Sequence, residues 1–221
     1  MENVWARSLN LANLPKGTER SILGYAGESL VIGRALICGY NLFFKAWRDS
    51  KYDAVLEHLG ILYRIEIKQS RDGKNFSVTS GARSGKQISR SVKSREQIIS
   101  SKDCDFLIAV HSLSGTCWVV PIEIIEILNK KNLSSLALSS FKEAWAIFTL
   151  VPKLLDQLDV PGRLLGRDID ELKAIAAKIG LKRDVPSSLE IGKRTIVHLD
   201  SDVEKYVFAI WVKLAEIAQK M

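Results

Sequence analysis

The chain is short of the residues that staple small folds and bind soft metals. Its 221 residues include only three cysteines and three histidines. Cys38, Cys104 and Cys117 lie in apolar runs, none at metal-ligand spacing. That argues against a zinc module and a disulfide framework. All three are expected to be reduced core residues of an intracellular, cytoplasmic protein. His58, His111 and His198 are scattered and read as structural. No apolar run is long enough to cross a bilayer, and no secretory leader pattern is present. Repeats and low-complexity tracts are absent. Acidic residues are the minority sign: 25 Asp and Glu oppose 32 Lys and Arg, giving +7 and a pI near 9.3. Such a balance points toward a polyanion partner.

What is present centres on residues 52–70, Y-D-A-V-L-E-H-L-G-I-L-Y-R-I-E-I-K-Q-S. Two strand-like runs, 52–58 and 61–69, flank a glycine turn, which predicts a hairpin. In the second run Ile61, Tyr63, Ile65 and Ile67 share one face, and Arg64, Glu66 and Lys68 share the other. Asp53 opens the partner strand, within reach of Glu66. Two carboxylates so placed suit a hard cation such as Mg2+, which keeps water and binds phosphate. The ion would polarise a phosphoryl oxygen, and a nearby lysine would offset charge growing on it. The plain alternative is an exposed Glu/Lys pair on an amphipathic hairpin.

The segments G-Y-A-G-E-S-L-V-I-G-R-A-L-I-C-G-Y, Y-D-A-V-L-E and L-Y-R-I-E-I-K resemble the PD-(D/E)XK nuclease superfamily. Within it the likeness is to group I intron-associated endonucleases and archaeal Holliday-junction resolvases. It spans roughly residues 21–123, and the C-D-F-L-I-A-V and W-V-V-P-I-E runs extend it. The resemblance implies an α/β fold: a restriction-endonuclease-like mixed sheet flanked by helices, over residues 1–126. It implies Glu28, Asp53, Glu66 and Lys68 as catalytic residues, and Asp53, Glu66 and Ile67 as ligands of Mg2+, with Mn2+ as substitute. It implies DNA as substrate and a homodimer or higher symmetric oligomer, since two strands are cut. The proline that often precedes the aspartate is Tyr52 here.

The first helix is expected from about residue 19 or 20 to Cys38, ending at Gly39. Between Ile22 and Ile37 it is apolar nearly all round, so it is expected to be buried. Glu28 within it then needs a partner. A strand is expected at 41–47 and a short one at 75–79. Residues 80–102 carry Arg83, Lys86, Arg90, Lys93, Arg95 and Lys102 among glycines and serines. The first five are the candidate DNA-binding residues, suited to phosphate rather than base contacts.

The runs 105–111 and 116–122 read as central strands with both faces covered. Glu123 and Glu126 are expected to start a helix rather than join the site. Residues 127–221 are expected to be mostly helical, in an accessory, DNA-binding or dimerisation role. There 139–150 could be helix or strand, 168–179 an amphipathic helix entering a helical hairpin, and 202–220 a last helix capped by Ser201 and Glu204. Its stripe from Val203 to Ile217 reads as core. Three functions compete: a metal-dependent endonuclease of restriction, homing or junction-resolving type; a non-catalytic DNA-binding or interaction protein that keeps the nuclease fold; and a helical interaction module.

Overall fold

The computed structural model describes residues 16–44, 50–80, 96–156, 163–181, 185, 188–191, 194–199 and 201–221, with backbone alone at 16, 17, 19, 20, 155, 156, 188–191 and 194–198. The elements run α1 (Lys16–Ile37), β1 (Asn41–Phe44), β2 (Ala54–His58), β3 (Ile61–Ser70), β4 (Asn75–Ser77), β5 (Thr79–Ser80) and β6 (Gln97–Ile98). They continue as β7 (Phe106–His111), β8 (Cys117–Pro121), α2 (Ile122–Leu128), β9 (Asn132–Ser134), α3 (Ile147–Asp156) and α4 (Ile169–Lys178). The chain closes with β10 (Ser188–Ile191), β11 (Arg194–His198) and α5 (Asp202–Ala218).

The main sheet has the order β1-β2-β3-β7-β8. Only the β3–β7 pair is parallel; the others are antiparallel. The mixed α/β sheet with flanking helices is the architecture expected. The predicted hairpin forms, with Ala54 opposite Ile65 and His58 opposite Ile61. Its turn puts Leu59 and Gly60 at φ 54° and 76°. Two successive positive φ values match the right-handed twist of the flanking strands.

The register fixes the faces of the sheet. Tyr63, Ile65 and Ile67 lie in phase with Phe106, Ile108 and the helix-covered core; Glu66 and Lys68 lie in phase with Leu107 and Ala109. On the first face Phe106 meets Tyr63, Phe148 of α3 and Trp211 of α5 at ring-centroid distances of 4.8–6.1 Å. On the second, Phe76 of β4 meets Trp118 at 5.2 Å. Continuous apolar runs in β7 and β8 follow from this two-sided cover.

The described C-terminal residues pack on the same core through one carboxylate. Glu123, 3% exposed, accepts from the main-chain N–H of Leu164 and Leu165 and from Trp211 Nε1. It thus starts a helix, as expected, and also ties α5 to the sheet. Ser201 and Glu204 form the expected capping box, and Val207, Ile210, Trp211 and Leu214 are buried.

Several expectations are corrected. Cys104 and Cys117 are buried, but Cys38 is exposed, in the turn after α1. The outer face of α1 is exposed rather than buried. β8 is an edge strand, not a central one; Glu143 N–H donates to Cys117 O and a bridge joins Trp118 to Lys142, which closes that edge. Of the two alternatives open for residues 139–150, the helical one holds: a 3-10 turn and the start of α3, which carries Pro152 inside it. A β-hairpin, β10–β11, stands where a helical hairpin was expected. The first strand is Asn41–Phe44; residues 45–49 lie outside those described.

Candidate active site

Asp53 stands one residue before β2, where that strand parts from β3. Its N–H donates at 2.8 Å to the carbonyl of Ile65, the residue paired with Ala54, so the ladder slips by one residue here. Its carboxylate Oδ2 then accepts from the Ile67 N–H at 2.9 Å. The side chain replaces the main-chain acceptor that β2 would have supplied, and is held in the gap between the diverging strands. N–H and C=O of one strand residue point to the same edge, so the Ile67 carbonyl faces that gap too.

Glu66 and Lys68 follow on the other face of β3. Glu66 is buried, 7% exposed, and Lys68 Nζ donates to its Oε1 at 2.6 Å. A nearly buried carboxylate requires a cation or donors, and the lysine two residues on supplies one. Burial, and then the Glu66 charge, hold the Cys104 thiol protonated well above the usual range. It is an inert neighbour, not a nucleophile.

Glu28 is half-buried on α1, directly after Gly27. A Cβ on Gly27 would lie 2.7 Å from Gln69 Oε1 and 3.0 Å from Gln69 Cβ. Glycine therefore lets α1 settle on β3 one residue past Lys68. Glu28 arrives at the same end of the sheet, from the face opposite Glu66 and Lys68. The structure thus joins Asp53 to Ile67 and Glu66 to Lys68 on adjacent residues of β3, and sets α1, which carries Glu28, against Gln69. Arg83, Lys86, Arg90, Lys93 and Arg95 lie outside the described residues. Of the residues on either side of them, Thr79 pairs with Ile98 and Ser80 with Gln97.

A polar rim beyond Lys68 was not read from the sequence. Ser112 donates its hydroxyl to Gln69 Oε1 at 3.2 Å, Ser70 donates to Asp72 at 2.9 Å, and His111 Nδ1 meets Ser114 Oγ at 2.7 Å. These residues come from two separate turns. Only the parallel β3–β7 register, which sets Ser70 beside His111, brings them together. A neighbouring ion pair, Arg64–Asp105, is structural: Asp105 accepts from the Arg64 main chain and guanidinium, which raises the pKa of Arg64.

Among the described residues, no three His, Cys, Asp or Glu side chains are placed together to hold a metal ion. The oxygen donors here are two carboxylates and a main-chain carbonyl. No helix among the described residues is long and apolar enough to cross a membrane.

No protein-family model matches the chain, and no curated protein matches it. Among solved structures, a bacterial homing endonuclease, I-Ssp6803I, superposes with a TM-score of 0.50 at 19% identity. The match covers 60% of this chain and 95% of that one. At that identity the likeness is one of fold: a nuclease-like α/β core.

Proposed function

We propose that this chain is a metal-dependent endonuclease of PD-(D/E)XK type that hydrolyses DNA phosphodiester bonds. The reading is supported by two contacts on adjacent residues of β3: the Ile67 N–H donating to Asp53, and Lys68 donating to Glu66. A fold shared with a homing endonuclease supports it. The donor set fits Mg2+ or Mn2+: Asp53, Glu66 and the Ile67 carbonyl are hard oxygen ligands, and Mg2+ is commonly held by one or two carboxylates plus substrate phosphate. When bound, such an ion supplies positive charge to phosphoryl oxygens and acidifies water in its shell.

The chain's own residues do the rest. Asp53 is locked by the Ile67 N–H, so it is oriented before substrate arrives. Lys68 holds the Glu66 carboxylate, and its ammonium is placed to meet charge growing on the phosphate. Glu28 borders the site from α1. The segment with Arg83, Lys86, Arg90, Lys93 and Arg95 supplies phosphate contacts that position the duplex. Cutting two strands calls for two such sites, hence a symmetric homodimer or higher oligomer.

A second reading rests on the Lys68–Glu66 pair, in which an ammonium already neutralises the carboxylate that a metal would need: a DNA-binding protein that keeps the nuclease fold without cleavage. Incubation with supercoiled, linear and four-way-junction DNA, in Mg2+ and in EDTA, separates the two. Cleavage only with Mg2+ supports the enzyme; salt-sensitive binding without cleavage supports the second reading. Neither binding nor cleavage defeats both.

A further inference from the structure

We propose that the outer face of α1 is a docking surface for a second copy of this chain, paired antiparallel about a two-fold axis near Ser29 and Leu30. From residue 22 to residue 37 the exposed positions of α1 are Ile22, Tyr25, Ala26, Ser29, Leu30, Gly33, Leu36 and Ile37. At 100° per residue they fall within an arc of about 140°, along about 22 Å of helix. None is charged. The two charges of that stretch, Glu28 and Arg34, sit on the flanks, and Arg34 is engaged by Glu143. A helix whose solvent face is its apolar face is a surface that water does not favour.

The size of the face fits a protein partner. Ile22, Tyr25, Leu30, Leu36 and Ile37 are 40%, 64%, 36%, 56% and 76% exposed. At roughly 200 Å² per fully exposed large side chain, they present about 550 Å². That is at the upper end for the largest patch on a monomer. It is also a large part of the ~800 Å² per partner that a standard interface buries, before Ala26, Ser29 and Gly33 are added. Nucleic acid is a poor occupant, because its phosphates need Lys or Arg and this face has neither.

The spacing favours self-pairing. Reversed about its midpoint, the stripe sets Ala26 of one copy against Gly33 of the other, and Ile22 against Ile37. Small residues then meet at the crossing, where backbones approach to about 8–10 Å, and large ones fill the flanks. Open space lies around Gly33, with nothing within 4 Å of an added Cβ. The inference goes beyond the nuclease reading and does not depend on it: a protein that cuts nothing would still pair here.

Light scattering on the full chain at micromolar concentration tests it. The expected mass is twice 24.7 kDa. Gly33→Glu sets a carboxylate against Ala26 of the other copy, and Ala26→Glu sets one against Gly33, so each buries two unpaired charges in the apolar seam and should halve that mass with an unchanged circular-dichroism spectrum. A higher oligomer that Gly33→Glu also halves gives the same support. In a Cys38→Ser background, Ser29→Cys should form an intermolecular disulfide on mild oxidation, and this reads the pairing even if a Glu variant folds poorly. A wild-type monomer overturns the proposal, whether another segment of the chain or another protein covers the face. So does a dimer that survives both Glu substitutions, or one in which Ser29→Cys fails to cross-link.

Discussion

Glu123→Ala should cost about 4–6 kcal/mol of folding stability, at about 1–3 kcal/mol for each buried donor left without an acceptor. The carboxylate accepts at 2.7 Å from Leu165 N–H, at 2.7 Å from Trp211 Nε1 and at 3.3 Å from Leu164 N–H. Truncation strands all three, the last counting least because its bond is longest. The cavity adds to the loss. Arg163 lies 3.6 Å away but its side chain is 49% exposed, so that ion pair contributes little. The total would consume much of a margin of about 5–15 kcal/mol. Glu123→Gln keeps one oxygen but aims an amide N–H at a donor, and should cost about 2–3 kcal/mol. Trp211→Phe removes that donor, so the double variant should lose less than the two single losses together. Urea unfolding followed by far-ultraviolet circular dichroism measures all four proteins. A Glu123→Ala loss under about 1 kcal/mol, or strict additivity of the pair, would refute the reasoning.

Gly27→Ala should destabilise, although alanine in a helix is worth about 1 kcal/mol more than glycine; the added methyl meets Gln69, and a stabilised variant would show that α1 does not sit so close. Maleimide at pH 8 should label Cys38 quickly and the other two thiols only on unfolding, because burial raises the Cys117 thiol to about 12 and Cys104 further. Three equally fast thiols would contradict that core. Replacing Arg90, Lys93 and Arg95 together by alanine should weaken DNA binding for all sequences alike, and reduce the slope of log affinity against log salt by roughly one for each phosphate left unneutralised. An unchanged slope would mark the run as a solvated loop.

The hairpin was legible because its signals are local. Alternation of period two set Glu66 and Lys68 on one face, and Leu59-Gly60 supplied the turn. The helix α5 was legible for the same reason, through Ser201 and Glu204. What escaped depends on contacts distant in sequence. Glu123 reads as a first-turn glutamate until Trp211 and residues 164–165 fold onto it. β8 reads as central because Cys117–Pro121 is buried, yet its cover is the 142–143 segment rather than another strand. The hairpin at 188–198 was missed beside two strong helices. In α1 the apolar pattern is legible and its exposure is not, because a sequence does not say which faces of a helix the other elements reach. At the site, the order of Glu28, Asp53, Glu66 and Lys68 was visible, but not the Asp53–Ile67 bond that orients the aspartate, nor the side of the sheet from which Glu28 arrives.

Single-turnover cleavage of duplex DNA across a Mg2+ titration tests the nuclease reading most directly. Wild-type protein should cleave only with the ion present. Lys68→Ala should keep the wild-type metal midpoint and stay slower by on the order of a hundredfold to a thousandfold at saturation, as expected when one donor to developing charge is removed. Asp53→Asn should instead move the midpoint to much higher Mg2+ or Mn2+, since it removes one of few protein ligands. A wild-type protein that cleaves no duplex, junction or single strand at any metal concentration, or a Lys68→Ala variant that cleaves at the wild-type rate, would contradict the account.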